Sequence, residues 1–264
     1  MRMRAGIYRV LRIALIAAVA FAAWRWLRPM GLGWVALVIA GAVAAGFVLY
    51  RVWRVKKAQR LDARADAWAE ALIDPARRPA AIEELRAERE GKGPEDRARL
   101  TLVLAELLEA DGDPEAAIEV LGELDPSGLD AALGVIVQHA LAVAHLSAGD
   151  VDAARAALED RERSGDPKME LRCRMLAGLI EAEEGNHAEA KRIAAESKDE
   201  ALDDEDLRIE ARVLEAVAFD AAGDRAEALK RMARLGDELL EVLTVLGLPR
   251  VRALADEALS VRDS

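Results

Sequence analysis

Three imidazoles, one thiol and a run of carboxylates are what this chain offers for catalysis or metal binding. His139, His145 and His187 are its only histidines and Cys173 its only cysteine. His139 and His145 stand six positions apart, too far around a helix to share an ion, and no histidine has a zinc-site spacing or lies near Cys173 in sequence. There is no glycine-rich phosphate loop, no nucleophile elbow and no HExxH run. Asp199, Glu200, Asp203, Asp204, Glu205 and Asp206 concentrate negative charge, but the loop glycine and terminal glutamate of a calcium hand are missing. Acids placed there favour the positive end of a following helix. Cys173 reads as a small buried apolar residue of a helix, and His187 as part of a turn. The expectation is a protein that is not an enzyme, with no cofactor and no resident metal.

The elements that carry these side chains are repeated. Gly112, Gly149, Gly185 and Gly223 recur at intervals of 37, 36 and 38, each followed by Asp or Asn. Five residues after each glycine stands an alanine (Ala117, Ala154, Ala190, Ala228), and seven before it a small residue (Ala105, Ala142, Gly178, Ala216). Ala80 to Leu85 echoes Ala116 to Leu121 at an offset of 36, with Ala69 in the small-residue slot, which makes five units. Apolar residues at helical spacing, a Gly-polar break and a second amphipathic run describe a pair of helices folded back on each other. One such pair cannot bury its apolar faces alone, so neighbours must stack.

This arrangement resembles the tetratricopeptide (TPR) family over residues 61–235. Leu104-Ala105, Leu141-Ala142 and Ala177-Gly178 match the first-helix element of that pattern, and Ala117 with Leu121, Ala154 with Leu158 and Ala228 with Met232 match the second. The chain departs from the family where a tryptophan is usual (Thr101, Gln138, Arg174, Arg212) and where a tyrosine is usual (Leu108, His145, Glu181, Phe219). The resemblance implies an all-α fold: a TPR-like α-solenoid of about five helix pairs. Residues 236–264 supply a C-terminal cap around Gly247-Leu248-Pro249.

Residues 1–60 carry eleven Arg or Lys and no acid, leaving 26 basic against 48 acidic residues, a charge of −22, for 61–264. An acidic body of that size repels phosphate backbones, which argues against nucleic acid as a partner. Residues 29–50 hold no charge over 22 positions, long enough to cross a hydrocarbon core of about 30 Å. Together with a first span at about 7–27, whose Arg9, Arg12 and Arg25 snorkel, the second span at about 31–50 makes a membrane-embedded two-helix hairpin within 1–55. Basic residues before the first span and after the second predict an inner-membrane protein with both termini cytoplasmic. The alternative takes 1–24 as a secretory signal and leaves the body on the same side. Ala36, Ala40, Ala44, Gly41 and Ala45 allow close helix approach in lipid, within the hairpin or in a homo-oligomer.

If the family geometry holds, the first helices of each unit line a partner-binding groove. Its slots carry Leu102, Glu106 and Glu109; His139, Val143 and Leu146; Met175 and Leu179; and Val213, Val217 and Asp220. The centre is apolar and the ends acidic, which suits a protein or peptide ligand: an amphipathic or extended segment with basic flanks. The cationic pairs with which some family members clamp a terminal carboxylate are absent. The functional expectation is a membrane-anchored scaffold for protein–protein interaction. The alternative is an accessory or assembly subunit of a membrane enzyme or biosynthetic pathway, since two spans followed by helical repeats look like the bacterial membrane proteins associated with haem synthesis.

Overall fold

The computed structural model describes Trp68, residues 70–160, 165–201, 204–236 and 248–262, all within one compact unit, Ala67–Ser264. Among the described residues the fold is all-helical, with no strand. A helical segment ends at Ile73. After it come α1 (Arg78–Arg89), α2 (Pro94–Asp111), α3 (Pro114–Gly122), α4 (Ala131–Ser147), α5 (Val151–Glu159), α6 (Pro167–Glu183), α7 (His187–Glu200), α8 (Glu205–Ala221), α9 (Arg225–Ala233) and α10 (Pro249–Arg262). Consecutive helices pack on one another throughout, and the long helices α2, α4, α6 and α8 also pack in succession.

Four turns with one construction set this pattern. At the end of α2 the Gly112 amide donates to the Glu109 carbonyl and the Asp113 amide to the Leu108 carbonyl. The same two bonds recur at Gly149-Asp150, Gly185-Asn186 and Gly223-Asp224. They are the closing bonds of a Schellman turn, which needs a left-handed residue, and the four glycines have φ of 87, 81, 84 and 82°. The following residue then starts the next helix. Asp113, Asp150 and Asp224 accept the amides of Ala116, Ala153 and Glu227 at 3.0, 3.0 and 3.2 Å. Asn186 does otherwise: its side-chain nitrogen donates to Glu181 of the preceding helix and to Glu184 just past its end.

Small residues let the paired helices touch. Ala117, Ala154, Ala190 and Ala228 are all 0% exposed, and Ala105, Ala142, Gly178 and Ala216 are buried. The contact is tightest at Gly178, where an added Cβ would lie 2.9 Å from both Ile193 Cγ2 and Leu214 Cδ2. Ion pairs join the later helix pairs: Arg155 of α5 meets Glu181 and Glu184 at 2.8 and 2.6 Å, and Arg172 of α6 meets Glu210 of α8 at 3.0 Å. Two positions where the family pattern has tryptophan instead tie a helix to its own partner, since Gln138 of α4 donates to the Asp160 carbonyl at the end of α5 at 3.2 Å and Arg174 of α6 pairs with Glu200 of α7.

No described helix is long and apolar enough to cross a membrane. The expected spans at 7–27 and 31–50, the signal alternative at 1–24 and the 1–55 anchor as a whole lie outside the described residues, as do residues 237–247 of the expected cap.

Candidate functional site

The slots expected to line a groove recur ten, six and three residues before each turn glycine. Structurally they form a strip across α2, α4, α6 and α8 that is open at one end and covered at the other. Ten residues before the glycine, Leu102 and His139 are half-buried while Met175 and Val213 are buried. At the six-residue slot Glu106 is exposed, Val143 half-buried, and Leu179 and Val217 buried. At the three-residue slot Glu109 and Asp220 are half-buried and Leu146 and Ala182 are buried.

Much of the cover comes from the start of α10. Leu248 and Val251, 4% and 1% exposed, share one buried cluster with Leu146, Leu179 and Val217, and with Glu183, Pro249 and Arg250 these residues line a residual space of about 20 Å³. Arg250, between the two apolar side chains, places its guanidinium 3.4 Å from Glu183 and 3.6 Å from Asp220, and donates to the Ala182 carbonyl at 3.5 Å. Farther along, α10 packs on α9, and Leu254, Ala255 and Ala258 are buried. There Arg225 joins Asp220 at 2.7 Å to Glu257 at 2.6 Å. On its other side α10 stands off: a cavity of about 390 Å³ separates Arg252 and Asp256 from Glu109 and Ser147.

Electrostatically the open end is an anion pair that resists ionising. Burial pushes the Glu109 carboxyl up to about 7, a hydrogen bond donated by the Ser147 hydroxyl at 3.1 Å opposes the shift, and the charge of Glu106 adds to it. Glu106 is raised too, by desolvation; solvent reaches its side chain, but protein crowds around it. Glu210 on α8 is likewise raised by burial, against the pull of Arg172. A cation docked beside Glu106 and Glu109 would pull both carboxyls back toward the charged form, releasing their protons.

The other chemistry-bearing residues are not gathered into a site. Cys173 is buried, and His187 opens α7 rather than lying in a turn. Asp204 caps α8 by accepting the Leu207 amide at 3.2 Å, with Glu205 and Asp206 in the first turn, so these acids serve a helix start. Among the described residues no three His, Cys, Asp or Glu side chains are placed to hold a metal ion.

Comparison with protein families, curated proteins and solved structures finds no match to this chain. The site therefore stands on its own geometry. Reading the sequence alone missed Leu248, Arg250 and Val251, which it assigned to the cap, and Ser147 and Glu183, which follow groove slots without occupying one. The signal was present in Leu248-Pro249-Arg250-Val251, whose apolar-basic-apolar order matches the apolar side chains and carboxylates that it meets.

Proposed function

We propose that this protein is a noncatalytic scaffold. Residues 1–55 anchor it at the cytoplasmic face of a bacterial-type inner membrane, and the helix pairs form a TPR-like α-solenoid whose strip on α2, α4, α6 and α8 receives a partner's amphipathic helix with basic flanks. The observation that carries the reading is the strip's composition: Leu146, Leu179 and Val217 from three successive long helices form an apolar floor, with Glu106, Glu109, Glu183 and Asp220 around it. Two large apolar side chains buried on such a floor contribute about 1.5–3 kcal/mol each before ordering costs. The carboxylates then choose basic flanks over acidic ones. Anchoring adds its own effect, because confinement at a membrane raises the local concentration of whatever is bound.

The test is affinity purification of the full chain beside the double variant Glu106→Lys, Glu109→Lys. Partners bound through the strip are recovered with the wild type and lost from the variant. Recovery of the same set by both proteins overturns the reading.

A further inference from the structure

We infer that α10 is a displaceable occupant of the strip, so that the chain holds its own binding face closed and a partner's helix docks only by evicting it. This rests on the scaffold reading and adds to it the regulation of the site and the pattern of its partner. A helix that only capped the last pair would need to cover α8 and α9, and Leu254, Ala255, Ala258 and the Glu257 ion pair already do that. The first turn of α10, with the residue just before it, goes further. Leu248 and Val251 lie over Leu146 of α4 and Leu179 of α6, and Arg250 reaches Glu183 and the Ala182 carbonyl of α6. An apolar-basic-apolar segment seated between carboxylates is the kind of ligand that the floor and rim select.

The hold is loose in two respects. The Arg250 side chain is 33% exposed, and ion pairs in contact with solvent contribute little individually. On the far side the 390 Å³ cavity leaves Glu109 with no cation from α10 in contact, so the helix is gripped along one edge. The space is a cleft open to solvent, so that edge of α10 is left without packing. A partner helix with large apolar residues at i and i+3, Arg or Lys at i+2, and a second cation about one turn farther on would repeat the contacts of Leu248, Val251 and Arg250. It would add one to Glu109 that α10 does not make.

The test uses a fluorescein-labelled synthetic peptide copying residues 247–262, titrated by anisotropy against the full chain and against the variant Arg250→Glu, Val251→Asp, with helix content of both followed by circular dichroism. A binding face closed most of the time lowers apparent affinity by the open fraction, so weakening the internal copy raises it. The variant is expected to bind the peptide at least tenfold more tightly than the wild type, and adding Asp220→Lys to the variant is expected to abolish that gain. Equal tight binding by wild type and variant overturns the closure and spares the scaffold reading, whereas no binding by either, both fully helical, overturns both. Should the double variant lose helix content, Arg250→Glu alone replaces it with the same ranking expected and the same outcomes decisive.

Discussion

Gly178 offers a sharp measure of how closely the helix pairs approach. In the middle of α6, a Gly→Ala change in isolation would stabilise the helix by about 1 kcal/mol. Here the new methyl would sit 2.9 Å from Ile193 Cγ2 and Leu214 Cδ2 and 3.1 Å from Leu214 Cδ1, against an optimal carbon separation of about 3.5–4.0 Å. Ile193 Cγ2 is fixed to a branched carbon and cannot swing away, so the overlap costs about 1–3 kcal/mol. The net expectation for Gly178→Ala is a loss of about 1 kcal/mol, read as a fall in Tm of about 2–4 °C for a unit of this size. Leu214→Ala removes two of the three atoms in the way, and in that background the same change should be neutral or stabilising. Thermal unfolding of the four proteins of this cycle, followed by far-ultraviolet circular dichroism, isolates the coupling. If Gly178→Ala raises Tm in the wild-type background, α6 does not lie against α7 and α8 as described.

Further expectations concern charge and membrane. Between pH about 4.5 and 7 the folded state holds a proton on Glu109 that the unfolded chain has released, so this carboxyl makes stability fall as pH rises through that window. Glu109→Gln should therefore flatten the dependence of Tm on pH, with the largest gain over wild type near pH 8 and little difference at pH 4. Arg155→Ala, which breaks a solvent-facing bridge to Glu181 and Glu184, should cost less than about 1 kcal/mol in urea unfolding, well below the Leu214→Ala change. For the proposed anchor, Arg28→Cys should be labelled by a membrane-impermeant maleimide added to intact cells. Labelling only after lysis would place the turn between the two spans on the wrong side.

What the sequence made legible was whatever only a few residue types can do. A left-handed turn residue favours glycine, the start of a helix favours Asp or Asn, and touching helices need alanine or glycine. Thus Gly112, Gly149, Gly185, Gly223, the capping Asp113, Asp150 and Asp224 and the buried alanines could all be read from spacing. The seat of α10 could not. Leu248 reaches Leu146 across more than a hundred residues, any large aliphatic side chain would serve, and a single contact of this kind leaves no period to detect. Whether a given slot residue was core or lining was hidden for the same reason: Met175 and Val213 hold the same register as Leu102 and His139, and burial distinguishes them by position along the strip.

The order of elements along the chain has a consequence during synthesis. The residues that build the floor, from Leu146 on α4 to Val217 on α8, are translated before Leu248, Arg250 and Val251. At about 5–20 residues per second, each new copy spends a few seconds with its floor translated and its lid not yet made. On the proposed closure, a partner that docks as the floor emerges would meet an uncontested surface, and a complex formed then would bypass the closed state.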